Sequence, residues 1–393
     1  MSRAKFLFFL ALYISVFLLL SVYSYSQIDL NLTLSSNHFY QFLQKQLIYL
    51  GYYQRPISVS VYCVILSSLY ILYSLTLFLI GKKKINFRQI ITIITLACVF
   101  LFFSYPAFSY DIFNYMFDAR IITLYHANPY SHSALNYPND LWTRFMHWTH
   151  RTYPYGPVWI LVTLPFSFLG FGKFVPTLLN FKLMFLLSYL LNVFLIYKIA
   201  KKITPTNITA SVAFFALNPL VIIESIVSPH NEVLMLTFLL AAIYLFFPKK
   251  KEISGFLAVL LSAGIKYVTL LLLPIFIFHK FRKVGLSRWG LYILYLLTLL
   301  GIGAEIIYRE PYPWYFIPLV GITALVHKNF SLKLFTVFLT LGAMLRYSPF
   351  IFMGDYSGNV LPMENLLFVL PVLTVFILVL LRRLMFPKTV KSI

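Results

Sequence analysis

Apolar runs of about 18 to 22 residues recur along the chain, each long enough to cross a hydrocarbon core roughly 30 Å thick at about 1.5 Å per residue. Short polar stretches separate them. The pattern predicts an all-α polytopic membrane protein, one transmembrane domain over residues 1–393. The first run follows Met1–Lys5 and ends near Val22. It has the outline of a signal peptide, but "SVYSYSQ" offers no clean small-x-small cleavage site, so it reads as an uncleaved first span.

Lys and Arg gather on the inner side of a membrane, and that rule threads the remaining runs. From an inner N-terminus the chain leaves residues 24–56 outside, returns over Ile57–Ile80 to "GKKK", and crosses outward again over Ile90–Phe108. A long polar loop, residues 109–157, is then extracytoplasmic. Two places depart from simple alternation. If Val158–Phe171 crossed, the run Thr177–Tyr197 would deliver "KIAKK" to the outside, so residues 158–171 are expected to lie as a helix in the outer interface. Gly255–Phe278 joins two basic stretches, "PKKKE" and "HKFRK", which a single crossing cannot do; it should be a hairpin of two short helices with Lys266 towards its outer tip. Ile208–Val227, Val233–Phe247, Trp289–Ile307, Phe316–Val326, Leu334–Phe350 and Leu366–Leu381 complete a bundle of about 12 membrane helices with both termini cytoplasmic. Val233–Phe247 and Phe316–Val326 are short for spans unless their polar flanks are drawn in.

Composition fits this threading. The chain is 60% hydrophobic and 11% charged, and its net charge of +21 sits largely in the short basic clusters between runs. The charge therefore marks topology and not a nucleic-acid surface. Every acid except Glu252 falls on or near the outer side, so any chemistry faces outward. Cys63 and Cys98 both lie in apolar runs and indicate neither a disulfide nor a metal site. No glycine loop that could cradle a nucleotide phosphate is present, so coupling to ATP is not indicated.

Acids are scarce in this chain, yet two stand together in "SYDIFNYMFDARIITLYHANPY", directly after a span. On a helix from Tyr110, Asp111 and Asp118 share one face, with Tyr115 beside them, while Arg120 points away unless the helix ends early. An acid at a span's outer end can deprotonate a hydroxyl, and a second can hold an acceptor or a cation. The plainer alternative is a solvated loop helix with incidental charges. Lys266 lies in an apolar hairpin, where an ammonium costs about 2.5 to 3.5 kcal/mol on insertion scales. It either meets a lipid-linked phosphate, snorkels, or pairs with Glu224 or Glu305. Lys182 is explained by snorkelling alone. "SPHNE" offers His230 and Glu232 as polar substrate contacts, weakly as metal ligands, or as a solvated turn. Asn128 in "NPY", Tyr155 in "YPYGP" and Tyr315 in "PYPWY" belong to turns and interface aromatics first, with sugar stacking second.

The stretches "YDIFNYMFDARIITLYHANPY", "YPYGPVW" and "NPLVIIESIVSPHNE" together resemble the polyprenyl-phosphate-mannose-dependent mannosyltransferases of the GT-C superfamily. That family's pattern is roughly Asp-x-x-x-Tyr-x-x-Asp-Gly-Arg, Asn-Pro-Tyr, a Tyr-Gly-Pro-like turn, then Asn-Pro-Leu and Gly-His-Asn-Asp. This chain departs from it at Ala119, Pro229 and Glu232. The resemblance covers about Ser104–Lys280. It implies a GT-C bundle with juxtamembrane helices in a large outer loop, and a membrane enzyme that moves a sugar, mannose first, from a polyprenyl-phosphate donor to a glycan or lipid acceptor. Asp111 is then the base of an inverting transfer and Asp118 a second acid. Lys266 meets the donor phosphate, with Arg309 or a divalent cation such as magnesium or manganese, or with Arg120 if the helix breaks early. His230, Glu232, Asn128, Tyr155 and Tyr315 are the sugar contacts. No metal ligand set is assigned. A lipid-linked oligosaccharide polymerase or ligase is the nearest alternative. A transporter or flippase of lipid-linked sugars would be expected to show paired broken helices in two similar halves, and no internal repeat is found.

Overall fold

The computed structural model describes residues 2–282, 286, 288–326 and 329–385. Among them the regular elements are helical, with one isolated antiparallel bridge from Ser133 to Thr152. In chain order the helices are α1 (Arg3–Ser24), α2 (His38–Ile48), α3 (Arg55–Gly81), α4 (Phe87–Leu101), α5 (Asp111–Thr123) and α6 (Pro157–Phe168). They continue with α7 (Phe174–Ile203), α8 (Ile208–Ala216), α9 (Pro219–Ile222), α10 (Glu232–Phe246), α11 (Glu252–Ala263) and α12 (Leu273–Arg282). The last are α13 (Arg288–Tyr308), α14 (Ile317–Leu325), α15 (Phe330–Leu345), α16 (Tyr347–Met353) and α17 (Val360–Met385). Six helices among the described residues are long and apolar enough to cross a membrane, and α8 with α9 makes a seventh if the bent pair is one span. The expected number of about 12 therefore includes helices too short to qualify alone. The end of the basic run "HKFRK", at Lys283, and the C-terminal residues 386–393, both expected on the inner side, lie outside the described residues.

Lipid-facing surface and protein-facing surface separate along each long helix. On α1, Phe8, Leu19 and Val22 are exposed, whereas Tyr13, Phe17, Leu20 and Tyr23 are buried. The buried tyrosines carry hydroxyls that need partners in an apolar interior. Tyr13 meets Thr76 at 2.8 Å and Tyr23 meets Ser58 at 3.0 Å, which fixes α1 on α3. Helix α14 is different: all of Ile317–Leu325 is buried. Its shortness follows from that place, because a helix sheathed by other helices need not match the lipid thickness.

Two irregular segments shape the end of the bundle that carries α5. Pro219 has no N–H and disfavours helix at Asn218. Asn218 is accordingly extended, its side chain accepts from the Leu220 and Val221 amides, and the chain bends by 57° between α8 and the segment Pro219–Val227. The last part, Ile223–Val227, is a π-turn, which swings Glu224 inward. The expected hairpin is the second. Helix α11 stops at Ala263, Lys266 takes an extended conformation, and a 3-10 turn, Tyr267–Leu272, leads into α12.

The region 24–56, expected only as an outer loop, contains α2. Its exposed Phe39, Phe42 and Leu43 form an apolar face on a helix of 11 residues, too short for the span pattern.

Candidate active site

Helix α4 ends at Leu101, and the chain then turns through Ser104 to begin α5 at Asp111. Lys182 of α7 holds this turn. It does not snorkel: it is buried, and its ammonium donates to the Ser104 carbonyl, to Ser104 Oγ at 3.1 Å and to the Val227 carbonyl at 3.5 Å. Three segments are thereby tied together: the entry to α5, helix α7 and the end of the π-turn. Ser228 adds a further tie, its Oγ accepting from the Phe108 amide at 2.9 Å.

Asp111 faces the "SPHNE" turn. That turn is not solvated, since Ser228, His230, Asn231 and Glu232 are all at most 1% exposed. His230 Nε2 lies 3.9 Å from Asp111 Oδ2 and 3.0 Å from Ser109 Oγ. Its other nitrogen, Nδ1, lies 2.9 Å from Glu224 Oε2, off the hydrogen-bond axis, and Tyr347 donates to Glu224 Oε1 at 2.9 Å. The ring stacks on Trp314 with centroids 3.8 Å apart, and Trp314 stacks on Tyr312 in turn. Burial, and then the charge of Lys266, push His230 well below its ordinary pKa, so the imidazole is neutral at physiological pH.

Lys266 pairs with Glu232, not with Glu224 or Glu305 as the sequence allowed. Its ammonium also lies 5.7 Å from the Tyr155 ring centre and 5.2 Å from that of Tyr315. Tyr155 arrives because "YPYGP" docks on the hairpin tip by backbone bonds, Gly156 N to Ile265 O at 3.2 Å and Val158 N to Gly264 O at 3.0 Å. A Cβ at Gly156 would stand 2.2 Å from the Gly264 carbonyl, so only glycine permits this approach. From Glu232 and Lys266 a narrow groove, about 520 Å³ only when the open space along its mouth is counted, runs down between α10, the hairpin and α13, lined by Met235, Leu239, Val268, Leu272 and Ile302. It is apolar along its length and charged at one end.

The two aspartates share a face of α5 as their spacing predicts, and Tyr115 reaches Asp111 Oδ2 at 3.5 Å. Burial raises the Asp111 carboxyl to about 6, with Lys266 lowering it and Glu232 raising it. Burial and then the charge of Asp111 raise Asp118 to about 8. At pH 7 the pair therefore carries mainly one charge, on Asp111. Tyr115 packs edge-on against Tyr155 and Trp159, which fixes the wall beside them.

Arg120 and Asn128 sit elsewhere. Helix α5 continues to Thr123, so Arg120 stays on the side away from Asp111, bonded to Asp140 at 2.6 Å and stacked over Trp142 at 4.1 Å. Asn128 is exposed and accepts from the Tyr130 amide at 3.0 Å within its own turn, while the Tyr153 amide to the Pro129 carbonyl at 3.0 Å and the Tyr130 hydroxyl to the Tyr155 carbonyl at 3.1 Å set "NPY" against "YPYGP". Arg309 is well exposed and close to Glu305, 3.9 Å away. Sequence reasoning passed over Glu224, Trp314 and Tyr347 as members of the site. Glu224 and Trp314 lay inside the stretches singled out, and an acid in an apolar run was the available signal; nothing local marked Tyr347. Among the described residues no three or more His, Cys, Asp or Glu side chains are grouped to hold a metal ion.

The family described as alpha-(1->6)-mannopyranosyltransferase, N-terminal domain, matches residues 19–282. Over 198 residues the chain is 28% identical to alpha-(1->6)-mannopyranosyltransferase A of Mycobacterium tuberculosis, a match that covers 50% of this chain and 37% of that relative. The matched part is thus little more than a third of that protein's length. No solved structure matches the chain.

Proposed function

The chain belongs to the alpha-(1->6)-mannopyranosyltransferase family, and from that premise we propose that it transfers mannose from a polyprenyl-phosphate donor to a glycan or lipid acceptor at the outer face of a membrane. The observation that carries the reading is the apolar groove that ends in the Lys266–Glu232 pair beside Asp111. A lipid-linked sugar phosphate has the same polarity along its length: an apolar tail, an anionic phosphate, then a neutral sugar.

In this reading the tail lies in the groove and the phosphate meets the Lys266 ammonium as a point charge. Glu232 holds that ammonium in place when donor is absent. The acceptor hydroxyl attacks the anomeric carbon, its proton passes to Asp111, and the bond from that carbon to the phosphate oxygen breaks with the electron pair leaving on the phosphate. Attack opposite the leaving group inverts the anomeric centre. Asp111 suits the role of base, since a carboxyl raised to about 6 is largely ionised at pH 7 yet more basic than an ordinary aspartate. Asp118 keeps its proton and so adds no second negative charge near the leaving phosphate. His230, Tyr155 and Tyr315 hold the sugar, with neutral imidazole as hydrogen-bond partner and Trp314 fixing that ring from behind. The residues of α6 lie along the outer interface, and the basic turns Lys82–Lys84 and Lys249–Lys251 face inward.

The test is transfer by the purified protein from radiolabelled polyprenyl-phosphate mannose to α-mannoside acceptors, with the product's anomeric configuration read by NMR. Labelled product of inverted configuration is expected. Turnover with retention would remove Asp111 as base, and failure to bind any polyprenyl-phosphate sugar would remove the reading altogether.

A further inference from the structure

On the side of α5 turned away from Asp111, a second cavity of about 870 Å³, counting the solvent at its mouth, is bordered by Arg120, Tyr125, Tyr137, Asn139, Asp140 and Trp142. It is separate from the groove. Arg120 follows Asp111 by nine residues, about 13 Å along the axis and about half a turn round it. We propose that this cavity is a second saccharide site, which binds a neutral oligosaccharide chain away from the point of transfer.

The chemistry of the wall selects that ligand. An anion would need free positive charge, and Arg120 has none to offer: its Nε donates to Asp140 Oδ2 at 2.6 Å and its Nη1 to the Gly172 carbonyl at 3.3 Å. Asp140 stays ionised against it. Burial opposes this, but donors from the Trp142 amide at 3.0 Å, Arg120 and the Tyr125 hydroxyl at 2.7 Å hold its carboxyl below the ordinary range. With the charges mutually cancelled, what remains is aromatic surface and amide edge. The guanidinium fixes the Trp142 ring by lying over it, and Tyr125 and Tyr137 stack with centroids 3.9 Å apart. Rigid rings flanked by amides suit a pyranose, whose C–H face packs on an aromatic ring and whose hydroxyls reach amide groups. The wall is also built before any ligand arrives, because the ion pair and the stacked tyrosines hold it, and preorganisation lowers the cost of binding.

The choice of a mannan-like probe rests on the proposed transferase reading; the site itself does not. The test is saturation-transfer NMR on the detergent-solubilised full chain with α-(1→6)-linked mannotetraose, without donor, beside transfer assays with a single mannoside and with the tetraose. The expected result is binding that persists in Asp111→Asn and is not displaced by inorganic phosphate. Asn139→Ala and Trp142→Ala should each weaken it, Trp142→Ala by about tenfold. Asn139 is exposed, so its variant keeps the loop folded; it should raise KM for the tetraose and leave transfer to the single mannoside unchanged. Equal binding in wild type and both variants, displacement by phosphate, or no binding of the tetraose would overturn the proposal. Loss of all transfer in the wild type with binding intact would instead count against the transferase reading and leave the saccharide site standing.

Discussion

Two carboxylates flank helix α5 on opposite sides, Asp111 from the helix itself and Asp140 from the loop after it, and they are treated in opposite ways. Asp140, brought up from the following loop, is met by an arginine, a tyrosine and a backbone amide, and its carboxyl is held low. Asp111 is met by no aligned cation; a tyrosine at 3.5 Å, a neutral histidine at 3.9 Å and the Trp148 side chain surround it, and burial outweighs them and raises its carboxyl to about 6. A charge held by a cation resists proton transfer, whereas one whose carboxyl is raised by burial takes a proton more readily. The two sides of one helix thus hold a carboxyl pushed low and a carboxyl pushed high, and the difference lies in the partners each finds across the fold.

The sharpest way to break this comparison is to neutralise each carboxylate in turn. Asp111→Asn should lower transfer by about 10² to 10⁴ while donor binding persists; Asp140→Asn should keep near-normal transfer to a single mannoside and lose thermal stability instead. Equal losses of activity would erase the distinction. Next in size is Lys266→Met, for which about a hundredfold fall in kcat/KM is expected, mostly through donor KM, as a charge-assisted phosphate contact is removed. Adding Glu232→Gln should recover stability lost to the stranded carboxylate but not the KM, and recovery of both would confine Lys266 to packing. Glu224→Gln should reduce kcat about tenfold with donor KM little changed, since the carboxyl group packed 2.9 Å from Nδ1 holds the imidazole in place and does not reach the sugar; an altered donor KM with normal kcat would contradict that. Asp118 should affect activity least and be read in stability instead. A folded-state carboxyl at about 8 against an ordinary 3.8 contributes stability that is complete below pH 4 and is lost as pH rises through 8. Asp118→Asn should therefore flatten the fall in Tm between pH 4 and 8, and an unchanged slope would mean the group is not protonated in the fold.

Much of the bundle was legible in the chain because hydrophobic run length and basic punctuation are local signals. The break at Lys266 followed from charge bookkeeping alone, and the shared face of Asp111 and Asp118 from helical spacing. What could not be read was which surfaces meet. Lys182 looks like a snorkelling lysine until the carbonyls of Ser104 and Val227 close over it. "SPHNE" looks like a solvated turn until the π-turn before it folds the histidine against Trp314, 84 residues further on. Glu224 has a partner in Tyr347, and Arg120 in Asp140, that no period in the sequence announces. Periodicity tells which way a side chain points on its own helix, and it is silent about what waits there.

The central claim is that Asp111 takes the acceptor proton as a carboxylate ionising near pH 6. Its most direct test is the pH dependence of kcat/KM for the donor, which reports the free protein, between pH 4.5 and 8. The account predicts a rate that rises with pH along an acid limb of apparent pKa about 6 and then levels, with that limb absent from the residual rate of Asp111→Asn. A rate that is flat across this range, or a limb that survives in Asp111→Asn, would contradict it.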